Sequence, residues 1–176
     1  KAEGDIIFLV GKATDNISSS EYLHKLHGVE FSPAPHFELE EEFALQQTIA
    51  ALIKNKTIVS AHDVSEGGLF TTLVESSFNN HLGFDVVAAD SNIRKDAYWF
   101  GEGQSRVVVT VKPEQAAAFR SQLGSFPYAE LGVVTAGSIE VDGMNWGTII
   151  EWKEKYDTAI ENLLAGHESE HALTAL

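Results

Sequence analysis

Thr57-Ile58-Val59-Ser60-Ala61-His62-Asp63-Val64-Ser65-Glu66-Gly67-Gly68-Leu69-Phe70 runs from β-branched residues through a polar, glycine-bearing stretch into an apolar one. Thr57 to Ala61 suits a strand, and Leu69, Phe70, Leu73, Val74 and Phe78 recur on one helical face. The segment therefore reads as strand, loop, helix, and the same alternation recurs on either side of it.

Upstream, Gly4 to Gly11 holds Ile6-Ile7-Phe8-Leu9-Val10, the pattern of a buried strand. Asp15 to Ser20 is dense in turn and capping residues, and Glu21 to His27 follows as a short helix stopped by Gly28. After a loop with Pro33 and Pro35, Glu38 to Lys54 reads as a helix with Leu39, Phe43, Ile49 and Ile53 as its apolar face. Glu38, Glu40, Glu41 and Glu42 stand at its start and Lys54 at its end, as the helix dipole favours.

Downstream, Gly83 to Ala89 is expected as a strand, Ser91 to Tyr98 as a short helix and Ser105 to Val111 as a strand at the sheet centre. Pro113 opens a helix reaching about Leu123. Strands are expected near Glu130 to Thr135, at Ser138 to Val141 and at Thr148 to Ile150, with a turn at Asp142-Gly143 and a last helix from about Trp152 to Leu164. The fold class is α/β (α+β), a mixed β-sheet with helices packed on it. One domain is expected over residues 1–166 and a disordered tail over 167–176.

The 176 residues are 44% hydrophobic and 22% charged, an ordinary globular composition. Twelve Lys and Arg against 26 Asp and Glu give −14, which disfavours nucleic acid as a partner because phosphate neutralisation needs clustered cations. With no cysteine, disulfide scaffolds, thiol catalysis and Cys-type zinc sites are excluded, and a cytoplasmic setting fits. The longest apolar runs are strand length, far below the roughly 20 residues of a membrane helix, so a soluble protein with no membrane partner is expected. Lys1 leads almost directly into a strand, so the chain reads as a piece of something longer.

Two segments carry candidate chemistry. Gly67 and Gly68 let a ligand approach the backbone, and the helix after them directs free N–H groups and its positive dipole end outward, which suits an anion such as phosphate. Asp63, Ser65 and Glu66 are hard oxygen donors of the kind that suit Mg²⁺. A helix capped by Ser65, with glycines serving only the turn, explains the same spacing. In Phe100-Gly101-Glu102-Gly103-Gln104-Ser105-Arg106, an extended chain would place Glu102, Gln104 and Arg106 on one side, able to hydrogen-bond an amide or ribose. Against this stands a solvated strand end with Arg106 in a surface ion pair. His24 and His27 share a helix but have no carboxylate set that would make them a zinc site, and they read as surface histidines.

Ser18-Ser19-Ser20-Glu21-Tyr22-Leu23, Ser60 to Leu69 with its His-Asp-Val-Ser-Glu-Gly-Gly-Leu, and Gly101-Glu102-Gly103-Gln104-Ser105-Arg106, in this order, resemble one family. It is the phosphoribosylformylglycinamidine synthases, and the likeness, over about Asp5 to Leu164, is to the C-terminal domain of the second synthase half, of the aminoimidazole ribonucleotide (AIR) synthetase type. Aminoimidazole ribonucleotide synthetase, selenophosphate synthetase and thiamine monophosphate kinase share the superfamily but usually lack this combination of motifs.

The resemblance implies a parent ligase of purine biosynthesis. ATP phosphorylates the formamide oxygen of formylglycinamide ribonucleotide, and ammonia from glutamine displaces phosphate to give the amidine. It implies ATP or ADP and Mg²⁺ in the parent, with no cofactor certain for this chain alone. The implied partners are an N-terminal AIR synthase-type domain of the same chain, the other synthase half and a glutaminase domain or subunit. Asp63, Ser65, Glu66, Gly67 and Gly68 become nucleotide or phosphate candidates, and Glu102, Gln104, Ser105 and Arg106 substrate-side candidates. Glu102 and Gln104 match positions that contact substrate in the first half, but Gly103 replaces the serine between them. The half resembled holds a structural nucleotide, so no catalytic residue is expected here and a non-catalytic, nucleotide-enclosing scaffold is the alternative description.

Overall fold

The computed structural model describes residues 1–90 and 92–165. Its strands are β1 (Ile6–Val10), β2 (Ser60–Asp63), β3 (Gly83–Val86), β4 (Val107–Val111), β5 (Tyr128–Thr135), β6 (Ser138–Val141) and β7 (Met144–Thr148). They form one seven-stranded sheet in the order β2-β4-β1-β5-β3-β6-β7. The sheet is mixed: β3 and β6 run parallel while the other neighbours are antiparallel. The helices are α1 (Leu39–Lys54), α2 (Gly68–Ser77), α3 (Lys95–Phe100), α4 (Ala116–Leu123) and α5 (Ile149–Asp157), with a π-helical turn at Tyr22–Leu26.

The period of two along β1 divides the core. Ile7 and Leu9 point into a layer with Leu69, Phe70 and Leu73 of α2, Tyr98 and Trp99 of α3, and Ile149 of α5. Phe8 and Val10 point the other way, against Leu45 and Leu52 of α1 and Phe119 and Leu123 of α4. Helices thus cover both faces, which is why β1 and β4 read as continuous apolar runs rather than as alternating ones.

Several expectations are corrected. On α1 the packed stripe is Leu45, Ile49 and Leu52, while Leu39, Phe43 and Ile53 are exposed at 66%, 61% and 56%. At 3.6 residues per turn these three lie roughly 80° to 160° round the helix from Leu45, so the sequence holds two apolar stripes and only one meets the sheet. The last strand is Met144–Thr148 rather than Thr148 to Ile150. Asp142 and Gly143, both at positive φ, form a tight turn that pairs Val141 directly with Met144. Thr148 instead caps α5 through a capping box with Glu151.

Of the helix expected over Ser91 to Tyr98, where Ser91 lies outside the described residues, the helix found is Lys95–Phe100; ahead of it Asp90 Oδ1 accepts from the Asn92 N–H. Pairing with β4 places β2 at Ser60–Asp63, later than the β-branched run suggests, because the Thr57 N–H still bonds the Leu52 carbonyl at the end of α1. β3 ends at Val86, short of Ala89. The expected last helix is interrupted at Thr158 and resumes over 159–165. The tail expected over 167–176 lies outside the described residues. Among the described residues no helix is long and apolar enough to cross a membrane.

Candidate functional site

The three quoted motifs meet at one place. Glu102 Oε1 accepts the backbone N–H of Gly67 at 2.8 Å and that of Glu21 at 2.8 Å. Tyr22, beside Glu21, stacks on Phe100 with ring centroids 5.1 Å apart and planes 3° from parallel. Ser20, fully buried, accepts from the Leu23 N–H and donates to the Ile17 carbonyl, fixing the start of the π-helical turn.

Gly67 is the N-cap of α2, at φ 78, and no side chain caps it. The expected Ser65 cap is therefore absent; Ser65 contributes its carbonyl to the Gly68 N–H instead. Gly68, at φ 71, lies against the Phe100–Gly101 backbone so closely that a Cβ would stand 2.7 Å from the Phe100 carbonyl carbon and 2.8 Å from Gly101 O. The glycine pair thus packs one motif onto another.

Gly101 to Arg106 does not run extended. Ser105 has φ 60, which turns the chain before β4, so Glu102, Gln104 and Arg106 do not line one side. Gln104 is exposed, whereas Arg106 is buried and donates from Nε to Gly103 O at 2.9 Å and from Nη2 to Gly101 O at 2.6 Å. It is no surface ion pair: burial draws its pKa down to about 10, only slightly offset by Tyr98. Ser105 Oγ donates to Glu42 Oε2 at 2.7 Å, tying the segment to α1.

Asp63, Ser65 and Glu66 are each exposed, and none of their side chains has a hydrogen bond or ion pair among the described residues. Their oxygens are the donors of this region open to a ligand. No group of three or more His, Asp or Glu side chains gathers into a metal site among the described residues. His24 and His27 are exposed. The neighbour that sequence reasoning missed is Glu75 on α2, 3.5 Å from His62 Nε2. Its signal is one of spacing: His62 faces the α2 side of β2, and Glu75 sits a helix length later on α2.

The family profile "AIR synthase related protein, C-terminal domain" matches residues 2–143. The phosphoribosylformylglycinamidine synthase subunit PurL of Alkaliphilus metalliredigens is 36% identical over 143 residues, 80% of this chain and 19% of that protein. Its counterpart from Salinibacter ruber is 40% identical over 149 residues, 79% of this chain and 19% of that protein. The chain spans about a fifth of the length of these relatives. Among solved structures, Thermotoga maritima PurL complexed with FGAR superposes with a TM-score of 0.69 at 14% identity, over 85% of this chain and 28% of that one. The hydrogenase maturation protein HypE gives 0.58 at 17% identity, over 84% of this chain and 53% of that one. At these identities the structural likeness speaks to the fold.

Proposed function

The chain belongs to the AIR synthase related protein C-terminal domain family, and from that premise we propose that it is the C-terminal domain of the second synthase half of a phosphoribosylformylglycinamidine synthase. The parent is then an ATP- and glutamine-dependent ligase of purine biosynthesis, acting in the cytoplasm on formylglycinamide ribonucleotide. The ordered motifs and the PurL relatives support this reading.

The observation that carries it for this chain is the loop before α2, where Asp63, Ser65 and Glu66 face outward on a backbone fixed from behind. These side chains would face a nucleotide held by the N-terminal AIR synthase-type domain of the same parent. Two carboxylates and a hydroxyl are hard donors that fit part of a Mg²⁺ shell and leave the rest to phosphate and water. When bound, Mg²⁺ neutralises polyphosphate charge. Gly67, its N–H directed to Glu102, and Gly68, packed on the Phe100–Gly101 backbone, hold the loop at its depth. Gln104, exposed on the adjoining segment, is the substrate-side group most open to a ligand, while Ser105 and Arg106 shape the turn beneath it.

The scaffold reading is favoured by one specific feature: the Gly67 N–H, the natural anion donor of the loop, already has a carboxylate. The domain then encloses a nucleotide without reacting with it. The exposed Leu39, Phe43 and Ile53 on α1 offer a face for a partner domain, the other synthase half or a glutaminase. Nucleotide content after purification tests the proposal. Asp63→Asn with Glu66→Gln in the full synthase is expected to release nucleotide with the fold intact, and unchanged nucleotide content would refute a ligand role for the loop.

A further inference from the structure

Glu102 holds a position between two segments that are distant in sequence. One is the Ser18 to His27 segment, entered through the Glu21 N–H, and the other is the loop before α2, entered through the Gly67 N–H. A single oxygen, Oε1, accepts both bonds, and the segment that carries it is anchored from beneath by the two Arg106 bonds to Gly101 and Gly103 carbonyls. The flanking glycines Gly101 and Gly103 are buried, so the Glu102 main chain has little room to shift.

We propose that Glu102 is a positioning residue whose carboxylate is the resident internal anion of the Gly67 turn, locking that loop to the Glu21 turn. Charge-assisted bonds from an ionised carboxylate to backbone N–H are about twice as strong as neutral ones. The Gly67 N–H is therefore closed to an arriving anionic ligand. The inference stands whether or not the parent retains a nucleotide, because it concerns contacts within this chain.

Amide hydrogen exchange on the ¹⁵N-labelled 176-residue chain tests it. Glu102→Ala is expected to lower protection of the Gly67 and Glu21 amides together, by roughly tenfold or more. The β1–β4 ladder amides should keep theirs, and both released amide protons should move upfield. Glu102→Gln, which retains an acceptor oxygen at the same reach but not the charge, should restore part of the protection and leave it between Glu102→Ala and the wild type. Unchanged exchange at either amide in Glu102→Ala overturns the proposal, as does loss spread evenly over the sheet. If Glu102→Ala does not fold, Glu102→Gln and Glu102→Asp decide: the aspartate, one methylene shorter, should lose at least one of the two bonds, and equal protection in both variants overturns the inference. Finally, 10 mM inorganic phosphate should leave the wild-type Gly67 amide shift in place; a saturable shift there means the turn is open to external anions and refutes the closed turn.

Discussion

The Arg106 Nη2 stands 2.6 Å from the Gly101 carbonyl oxygen, in a site that leaves the arginine 3% exposed. A guanidinium with no carboxylate within ion-pair distance among the described residues is held by main-chain carbonyls alone. Its fork is what allows one side chain to tie Gly101 and Gly103 together.

Arg106→Met should therefore leave two buried carbonyls without donors and lower stability by about 2–4 kcal/mol. Arg106→Lys, with a single ammonium in place of the fork, should recover only part of this. Urea unfolding midpoints of the three proteins check it; a lysine variant as stable as the parent would show that the fork is not needed.

Gly67 and Gly68 should respond differently to alanine. A Cβ at Gly67 would meet the Thr71 side chain, 2.3 Å from Oγ1, whereas one at Gly68 would meet the Phe100 and Gly101 backbone. Both positions have positive φ, so each substitution costs on the order of 1–3 kcal/mol in strain. Thr71→Ala should relieve part of the Gly67→Ala penalty and none of the Gly68→Ala penalty. Double-mutant cycles by thermal unfolding measure the difference, and equal coupling at the two glycines would contradict it. Gly67→Val should be costlier still, because β-branching adds atoms toward Thr71.

Stability should depend on Lys1 in alkaline solution. Its Nζ donates to Ser76 Oγ and Ser77 Oγ, and burial, partly offset by Asp5, draws its pKa from 10.5 down to about 8. Below pH 8 both folded and unfolded chains hold the proton. Between about 8 and 10.5 the unfolded chain holds more protons than the folded one, so this residue makes stability rise with pH there. The Tm of the wild type relative to Lys1→Met is expected to increase across that window, and a constant difference would count against the shift.

On α1, Leu52→Ala should cost about 3 kcal/mol, as a fully buried leucine does, and Phe43→Ala should change the isolated chain by under about 0.5 kcal/mol. In the full synthase Phe43→Ala should weaken association with the partner domain or subunit, read by size exclusion or limited proteolysis. If both proteins ignore the Phe43 change, that face meets no partner.

The chain alone should release no phosphate from ATP and form no amidine, since in the proposed reading the N-terminal AIR synthase-type domain holds the nucleotide and Asp63, Ser65 and Glu66 only face it. Calorimetry with ATP and Mg²⁺ should give little heat; tight binding or sustained phosphate release by pure protein would defeat the scaffold reading.

The sequence made the core strands legible because Ile6 to Val10 and, but for Thr110, Val107 to Val111 are apolar on both faces, as strands of a sheet covered on both sides are. It placed α1 correctly but misassigned its packed face, because Leu39, Phe43 and Ile53 are as hydrophobic as Leu45 and Leu52, and hydrophobicity does not say which stripe meets the sheet and which stays exposed. The capping box at Thr148 and Glu151 was written in the chain, but the β-branched Thr148 to Ile150 run reads as strand until the Asp142-Gly143 turn is known to be tight. At the candidate site, alternation presumed an extended Glu102 to Arg106, and only the positive φ of Ser105 breaks it. The motifs were recognisable as three separate features; their convergence was not, because it runs through main-chain N–H groups.

A contact from one side chain to two main-chain amides has an evolutionary signature of its own. Glu102 would constrain one column of an alignment, while the columns of residues 21 and 67 would carry no compensating partner for it: position 21 need only avoid proline, which has no N–H to give, and position 67 is held to glycine by its positive φ and the Thr71 side chain rather than by Glu102. Pairwise covariation would then be blind to the link that joins the three motifs, and chimaeras between relatives could exchange either amide-bearing segment without breaking it, provided the glutamate and its reach were inherited together.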